Sequence, residues 1–290
     1  MVFQEALKKK DFVVTTEIQP AVEEEIQGLM EQMGKIRGRV DGLSVSHIEI
    51  EGVVAETVRT CRALREKQFD PILHTTTREK NRLQLQADLL KAAEAGVENI
   101  LAFTDDYRIT GDSLQEIMFF HVDVSKLFSV LESLREGRDV QGKEIGKALE
   151  FNVGSGVESS WGQKTPDLEM QEMEKMIEMG TGFFLTTPVF DLDVFEKFMQ
   201  KVKPLQIPVI AEVIILRTAG MAHFINRHMR SGLVPEHIIR KLAQAPDKEK
   251  ASREIFSELI KGLKDLCQGV HIVPIGAEAK IAKYLDAAKL

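Results

Sequence analysis

Short apolar runs alternate with longer amphipathic segments along almost the whole chain. Eight of the runs are rich in β-branched and aliphatic residues and predict strands over residues 12–18, 40–48, 71–73, 99–103, 148–157, 182–190, 207–216 and 269–276. The segments between and after them have apolar residues at helical spacing and predict helices over residues 23–36, 53–67, 81–95, 120–135, 168–179, 194–202, 219–230, 235–243, 248–268 and 278–290. Strands that alternate with helices in this way are typical of an α/β protein with a parallel sheet. The pattern therefore predicts a single (β/α)8 TIM barrel over residues 1–290.

A doubly wound open sheet is the competing α/β architecture, and the first strand argues against it. When that fold binds a dinucleotide, its first strand leads into a glycine-rich G-x-G-x-x-G turn. Here the first strand ends in Glu17-Ile18-Gln19-Pro20, which contains no glycine. No linker or change in composition divides the chain, so we expect one domain.

The carboxyl ends of the predicted strands carry a ring of polar residues. In a barrel of parallel strands these ends meet at one face, where ligands bind. The ring consists of Glu17, Ser46, His47, the run from His74 to Thr77, Asp105, Asp106, Asn152, Ser155, Thr186, Thr187, Glu212 and His271. Carboxylates and hydroxyls with few cations suit an uncharged or weakly basic heterocyclic ligand. Glu17 can act as a general acid if partial burial raises its pKa, and a solvated residue at the entry of a helix is the alternative interpretation.

Charge and cysteine content narrow the function classes. The 290 residues carry a formal net charge of −7, which argues against non-specific binding of nucleic acid. No apolar run approaches the length of a membrane span, and the first residues lack the apolar centre of a signal peptide, so we expect a cytoplasmic protein. Cys61 and Cys267 match neither a metal-ligand spacing nor a disulfide framework, and we expect no metal site. His47 and His271 are interpreted as hydrogen-bonded structural residues.

Six segments in a fixed order give the chain a resemblance to a known family. They are TTEIQP (15–20), HTTTREKNR (74–82), GVENILAFTDD (96–106), TGDS (110–113), GFFLTTPVFD (182–191) and GVHIVPIG (269–276). In order and spacing these segments resemble the methylenetetrahydrofolate reductase family over residues 12–285. The resemblance implies a flavin-dependent (β/α)8 enzyme, an oxidoreductase acting on a CH–NH group. Such an enzyme reduces 5,10-methylenetetrahydrofolate to 5-methyltetrahydrofolate in one-carbon metabolism.

The resemblance also implies roles for particular residues. Glu17 matches the proton donor of the family, and Asp106 matches an aspartate near both the flavin and the pterin ring. These two catalytic residues and Thr187 form the implied substrate-binding set. The implied cofactor-binding set consists of Ser46, His74, Thr76, Asp106, Phe120, His121, Asp123 and Lys175. The implied cofactor is FAD, and FMN is the other flavin compatible with the sequence.

Two departures from the family pattern keep alternatives open. Asp105 stands before Asp106 where the family commonly has glycine, and Thr187 stands where it has a substrate-contacting glutamine. One alternative is a flavin-independent enzyme of pterin-dependent methyl transfer. The other is a folate-binding subunit of a larger redox complex.

The reductant is the partner that the sequence defines least. Direct reduction by NAD(P)H is compatible with the sequence. An electron-donating partner protein is equally compatible, because short members of the family can depend on a partner subunit. The chain has only two cysteines, so it lacks the cysteine set of an iron–sulfur cluster. We expect an oligomer or a subunit of a complex that binds methylenetetrahydrofolate, with neither nucleic acid nor a membrane span.

Overall fold

Eight parallel strands close into a barrel. The computed structural model describes residues 2–46, 53–76, 80–103, 125–160, 165–229 and 233–290. The strands are β1 (Val13–Ile18), β2 (Gly42–Val45), β3 (Pro71–Thr76), β4 (Asn99–Phe103), β5 (Asn152–Val157), β6 (Phe183–Pro188), β7 (Val209–Ile214) and β8 (Gly269–Val273). Each strand pairs in parallel with the next one along the chain, and β8 pairs with β1, which closes the sheet. The predicted (β/α)8 barrel is confirmed.

Helices follow the strands and form the outer layer. The described residues contain α1 (Val2–Lys9), α2 (Ile26–Gly34), α3 (Val53–Glu66), α4 (Arg82–Glu94), α5 (Ser125–Arg135), α6 (Pro166–Glu178), α7 (Leu192–Val202), α8 (Ala219–His228), α9 (Glu236–Gln244), α10 (Lys248–Leu263) and α11 (Ile281–Ala288). The apolar faces of most of these helices pack against the outward side chains of the strands and form the main core, whereas α1 precedes β1 and packs against a separate core inside the barrel. None of the described helices is both long and apolar enough to cross a membrane.

Side-chain caps determine where two helices begin at the mouth, the face formed by the carboxyl ends of the strands. The Asn81 side chain accepts a hydrogen bond from the Gln84 backbone at 3.0 Å, and the Gln84 side chain accepts one from the Asn81 backbone at 2.8 Å. Thr165 caps α6, and Pro166 occupies the first helical turn. These caps determine the residues at which α4 and α6 begin after β3 and β5.

A helix that the apolar pattern does not predict closes the opposite end of the barrel, which we call the base. The buried side chains of Phe3, Ala6 and Leu7 on α1 pack against apolar side chains inside the barrel. Phe3 meets Phe183 edge to face, with ring centroids 5.3 Å apart, and its backbone N–H donates to Asp70 at 2.7 Å. Three apolar residues at helical spacing are too weak a signal to predict a helix of two turns beside a lysine run.

Side chains that point into the barrel form two layers of opposite character. The lower layer, near the base, is apolar and contains Val13, Ile72, Leu101, Phe183, Leu185 and Ile210. Because side chains alternate between the two faces of a strand, the next inward residue lies two positions further on. On β3 this step leads from Ile72 to His74. The upper residues reached in this way include Thr15, Glu17, His74 and Glu212. The interior therefore changes from apolar to polar within one such step.

Two of the differences between predicted and observed strands change the positions of residues in the polar ring. β3 continues to Thr76, where it still pairs with Phe103, so His74 and Thr76 lie inside the strand rather than after it. β5 begins at Asn152, four residues after its predicted start. The apolar residues before it, Leu149 and Phe151, pack against a smaller core around α5 and do not extend the strand. Their apolar character reflects that packing, which the sequence pattern cannot distinguish from a strand.

We expect Phe3→Ala to lower the free energy of unfolding by about 3–5 kcal/mol, because the fully buried ring leaves a cavity beneath the lower layer. Equilibrium unfolding in urea measures the change. Glu5→Ala, on the exposed side of the same helix, is the control and should change stability by less than about 0.5 kcal/mol. A Phe3→Ala variant as stable as the Glu5→Ala variant would contradict the role of α1 in closing the barrel.

Candidate functional site

The upper layer of the barrel interior contains six polar side chains that we call the inner polar cluster. They are Thr15 and Glu17 on β1, Ser44 on β2, His74 on β3, Glu212 on β7 and His271 on β8. Strand register puts Glu17 opposite Ser44. On the other side of β1, His271 lies opposite both Thr15 and Glu212. The cluster therefore follows directly from the order in which neighbouring strands close the barrel.

Glu17 is the acid of the cluster on β1, one residue before the strand ends, and its side chain is partly buried. Burial raises the pKa of Glu17 from an ordinary 4.5 to about 7, and the negative charge of Glu278 adds to the shift. A carboxyl group with this pKa is partly protonated at neutral pH and can give up its proton. These are the properties of a general acid.

His271 is almost completely buried, and one of its ring nitrogens is unpaired. Its Nδ1 lies 2.8 Å from the Thr15 hydroxyl oxygen. Its Nε2 has no hydrogen-bond partner among the residues that the structure describes. Burial lowers the pKa of His271 to about 3, so the imidazole is neutral at neutral pH. The cluster thus contains a neutral imidazole with one nitrogen available for a further interaction.

Hydroxyl groups orient both histidines of the cluster. The Ser44 hydroxyl and Nε2 of His74 form a hydrogen bond between two buried side chains. The Thr15 hydroxyl, which contacts His271, also donates to the carbonyl oxygen of Val270 at 3.3 Å. The imidazoles are therefore held by neighbouring strands.

Glu212 is a second acid in the cluster, and it lies across β8 from β1. Its side chain is buried, and its backbone N–H donates to the Thr186 hydroxyl at 3.2 Å. Burial raises the pKa of Glu212 well above its ordinary value, and the charge of Glu17 raises it further. The two acids therefore differ: Glu17 can ionise near neutral pH, while the fuller burial of Glu212 favours its protonated form.

Glu17, His74 and His271 are also the one group of potential metal ligands with close spacing in the described part of the chain. One ligand atom from each lies within 4.8 Å of the other two. A tetrahedral zinc ion with bonds of about 2.0–2.2 Å needs ligand atoms about 3.3–3.6 Å apart, and separations of up to 4.8 Å do not by themselves establish this spacing. Each imidazole already contacts a hydroxyl group. We therefore describe the group as an acid beside two imidazoles, and the expectation of no metal stays a prediction.

Several residues that the sequence predicts for the site do lie at the mouth. Glu17 and His74 belong to the inner polar cluster, and Thr76 is the last residue of β3, one inward step beyond His74. Ser46 follows β2, and its hydroxyl donates to the carbonyl oxygen of Ile18 at 3.2 Å. The structure thus brings these four residues to one end of the barrel, and their individual roles stay predictions.

Thr187 and Lys175 are not members of the cluster. The Thr187 hydroxyl lies 3.2 Å from both the backbone nitrogen and the hydroxyl of Ser159, which follows β5. Lys175 is exposed in the last turn of α6, in the outer layer of helices. The proposed contacts of Thr187 with substrate and of Lys175 with cofactor stay predictions.

The other residues predicted for the site cannot be placed. Asp106, Phe120, His121 and Asp123 lie outside the described residues, as do His47, Thr77 and Asp105 of the polar ring.

Two residues of the predicted ring lie elsewhere. Asn152 is the first residue of β5 and lies at the base, where its side chain donates to the Asn99 side chain at 3.1 Å. Ser155 contacts the hydroxyl of Thr181, which precedes β6, at 2.8 Å. The prediction was wrong because β5 begins at Asn152 and continues to Val157, so neither residue lies at the carboxyl end of the strand.

Thr15, Ser44 and Glu278 were not predicted for the site. Thr15 lies two residues before Glu17 and Ser44 lies two residues before Ser46, and both of these later residues were predicted. Side chains alternate between the two faces of a strand, and this alternation identifies the inward positions below a strand end. Glu278 lies in a short turn before α11, and nothing in its sequence context indicates that its charge acts on Glu17.

The family assignment rests on almost the full length of the chain. The family model for methylenetetrahydrofolate reductase matches residues 2–289. The chain belongs to the methylenetetrahydrofolate reductase family. A search of curated proteins finds no match. Membership confirms the resemblance inferred from the six segments and places the chain among folate-related oxidoreductases.

Solved structures share the barrel of this family member at low sequence identity. A Clostridium thermocellum protein that binds two copies of 5-methyl-5,6,7,8-tetrahydrofolic acid is 16% identical, with a TM-score of 0.66 over 99% of this chain and 97% of that one. Phosphoenolpyruvate phosphomutase from Streptomyces platensis subsp. rosaceus is 11% identical, with a TM-score of 0.56 over 98% and 83%. A phosphonopyruvate hydrolase gives the same identity and TM-score over 99% and 85%. At these identities the likeness establishes the fold alone.

We expect Glu17→Gln to stabilise the protein at high pH. Because the folded state raises the pKa of Glu17 from 4.5 to about 7, it binds more protons than the unfolded state between these values, and stability falls as pH rises through them. Removing the acid should raise the free energy of unfolding at pH 8.5 by on the order of 3 kcal/mol and leave it nearly unchanged at pH 4. Urea unfolding at both pH values measures this, with Glu196→Gln on the exposed surface of α7 as control. Equal effects at the two pH values would contradict the raised pKa.

Proposed function

We propose that the protein catalyses the flavin-dependent reduction of 5,10-methylenetetrahydrofolate to 5-methyltetrahydrofolate. The observation that carries this proposal is Glu17, an acid inside the barrel mouth whose pKa is raised to about 7 by burial. Family membership over residues 2–289 supports the substrate class. The structural neighbour from Clostridium thermocellum binds 5-methyl-5,6,7,8-tetrahydrofolic acid, which is the product of this reaction.

The chemistry of the substrate explains why an acid is needed. The methylene carbon bridges N5 and N10 of the folate and accepts a hydride poorly while both bonds are intact. A proton delivered to N10 breaks the bond between that nitrogen and the methylene carbon and leaves an electrophilic iminium at N5. Glu17 supplies this proton and becomes a carboxylate. Its raised pKa keeps the proton available near neutral pH until the substrate nitrogen is in place.

The neighbours of Glu17 control the charge around it. Burial favours the protonated form of Glu212, which opposes a second negative charge beside the new carboxylate. His271 is neutral, so it does not hold Glu17 in its ionised form beforehand. Asp106, which the family resemblance pairs with the pterin, would accept hydrogen bonds from that ring and stabilise the positive charge that develops on it.

The upper ends of β2 and β3 have the donor and acceptor groups that a flavin ring requires. Ser46, His74 and Thr76 offer hydroxyl and imidazole groups, which match the carbonyl oxygens and nitrogens of the ring. A bound flavin would supply the hydride. Ser46, His74 and Thr76 would hold and orient the ring at the mouth that also contains Glu17. The resemblance assigns the remainder of FAD to Phe120, His121, Asp123 and Lys175, and FMN would not need the adenosine contacts among them.

A folate-binding subunit of a larger redox complex is the second candidate. The neighbour from Clostridium thermocellum supports it, because that protein binds 5-methyl-5,6,7,8-tetrahydrofolic acid. In that case an electron-donating partner protein takes the place of NAD(P)H as the reductant.

The visible absorption spectrum of the purified protein, oxygen-free, distinguishes these functions. We expect a bound flavin that NADH or NADPH bleaches and methylenetetrahydrofolate reoxidises. A flavin that responds to folate but to neither nicotinamide would indicate a missing electron-donating partner. No flavin after incubation with FAD and with FMN would contradict the reductase and favour methyl transfer or folate binding alone.

We expect Glu17→Gln to lower the rate of folate-dependent flavin reoxidation by at least about a hundredfold, because general acid catalysis contributes that much. The amide preserves the shape of the side chain, so the flavin spectrum should not change. Stopped-flow absorbance measures the rate, and Glu196→Gln on the outer surface of α7 is the matched control. Wild-type reoxidation in Glu17→Gln would show that another group donates the proton.

The pH dependence of reoxidation tests the same acid without removing it. We expect the rate to fall as pH rises through about 7, where Glu17 loses its proton. Because the charge of Glu278 raises the pKa of Glu17, Glu278→Gln should move this fall to lower pH. A pH profile that is the same in both proteins, or that moves to higher pH, would contradict the assignment of the titrating group to Glu17.

A further inference from the structure

His271 is the cluster residue whose environment the proposed reaction leaves unexplained. It is 2% exposed, and its Nε2 is one of the few buried side-chain atoms in the described residues that lack a hydrogen-bond partner. Buried polar atoms are nearly always paired, and a buried atom left unpaired carries a cost in stability. A hydrogen bond that Nε2 forms when the site is active would account for this unpaired atom.

The hydrogen bonds on the other side of the ring indicate which nitrogen carries the proton. The Thr15 hydroxyl has a single proton and contacts both the carbonyl oxygen of Val270, which can only accept, at 3.3 Å and Nδ1 of His271 at 2.8 Å. Both contacts are hydrogen bonds when the hydroxyl donates to Val270 and accepts from Nδ1. This arrangement places the imidazole proton on Nδ1 and leaves a lone pair on Nε2.

The protonated Glu17 carboxyl group is a suitable donor close to the ring. One ring nitrogen of His271 and one carboxyl oxygen of Glu17 lie within 4.8 Å of each other, a distance that one bridging water can span. Below its pKa of about 7, Glu17 carries an O–H that needs an acceptor. His74, the other imidazole near Glu17, already has its Nε2 on Ser44.

We propose that His271 is a positioning residue for Glu17, and that its bare Nε2 accepts the hydrogen bond of the protonated Glu17 carboxyl group. This proposal rests on the proposed function in one respect, which is the role of Glu17 as the proton donor. The Thr15 hydroxyl orients the ring, Nε2 holds the acid in its protonated form, and release of this hydrogen bond accompanies transfer of the proton to the substrate. An acceptor that binds the neutral acid favours protonation, so His271 raises the pKa of Glu17.

Four titratable groups face Glu17 from the described elements packed against it. They are His74 on β3, Glu212 on β7, His271 on β8 and Glu278 in the turn before α11. Glu278 acts on Glu17 through its charge, and burial favours the protonated form of Glu212. The effect of His271 differs from both because it depends on a directed hydrogen bond.

His271→Asn is the informative variant, because its amide can still reach the Thr15 hydroxyl but has no atom at the position of Nε2. We expect the pKa of Glu17 to fall by about one unit, a tenfold change in its ionisation constant. The infrared band of the protonated Glu17 carboxyl group, assigned by its absence in Glu17→Gln, measures this without any assay of activity. His237→Asn, on the exposed side of α9, is the matched control.

His271→Gln offers a conservative rescue, because its amide oxygen can take the place of Nε2. We expect it to restore at least half of the shift. An unchanged pKa of Glu17 in His271→Asn would overturn the proposal. A raised pKa would overturn it too, because Nε2 would then be a donor to the Glu17 carboxylate.

Activity adds a readout that a merely structural role would not change. If the pKa of Glu17 falls from about 7 to about 6, the protonated fraction falls about eightfold at pH 7.5 and less than about 1.5-fold at pH 5.5. Folate-dependent reoxidation in His271→Asn should fall in the same proportions, with KM for the folate nearly unchanged. An equal loss at both pH values would overturn the positioning role. Absence of any reductase activity in the wild-type protein would refute the proposed function and leave the infrared test intact.

Two measurements on the unaltered protein make the test independent of whether the variants fold. Nitrogen-15 NMR of labelled histidine should show His271 as the neutral form with its proton on Nδ1. The opposite tautomer would overturn the proposal. Metal analysis of the purified protein should find no stoichiometric zinc, because a bound ion at Nε2 would occupy the lone pair that the proposal assigns to Glu17.

Discussion

The inward side chains of a closed barrel must fill its interior, and their polar groups must find partners among one another. The two layers of the barrel interior meet this requirement in different ways. Eight strands enclose a space that only side chains fill. Near the base the constraint is met by apolar packing, with Phe3 of α1 sealing the end against Phe183. One inward step further up, it is met by hydrogen bonds between strands, such as those of His74 with Ser44 and His271 with Thr15.

Burial of the inward side chains also produces the chemistry of the site. Burial favours the neutral forms of Glu17, Glu212 and His271, and it does so to different extents. Glu17, which is partly buried near the mouth, is left in the range where it can exchange a proton, whereas the two deeper groups stay neutral. An acid held in this way costs stability above its ordinary pKa, which is typical of functional sites. The stability of the lower layer makes that cost tolerable.

Much of this arrangement could be predicted from the sequence, and the limits have physical reasons. The barrel and Glu17 follow from apolar runs and a polar strand end, both of which are local signals. Asn152 was placed at the wrong end because the apolar residues before it pack against α5 instead of extending β5. Thr15 and Ser44 were missed because attention to strand ends overlooks the inward positions below them. The influence of Glu278 on Glu17 depends on how the chain returns after β8, and no local pattern encodes it.

Barrels of this architecture also occur in proteins with little sequence in common with this chain. Phosphoenolpyruvate phosphomutase and phosphonopyruvate hydrolase share the architecture at 11% identity, so the fold alone does not select a reaction. In this chain the polar groups of the inner polar cluster lie one inward step or more above the apolar lower layer. In β7 one acid, Glu212, interrupts an otherwise apolar strand. Glu212 lies two residues after Ile210, just as His74 lies two residues after Ile72 on β3. A change at such a position alters the charge beside Glu17 without disturbing the lower layer. The barrel can therefore vary its chemistry in the upper layer while the packing at the base maintains the fold.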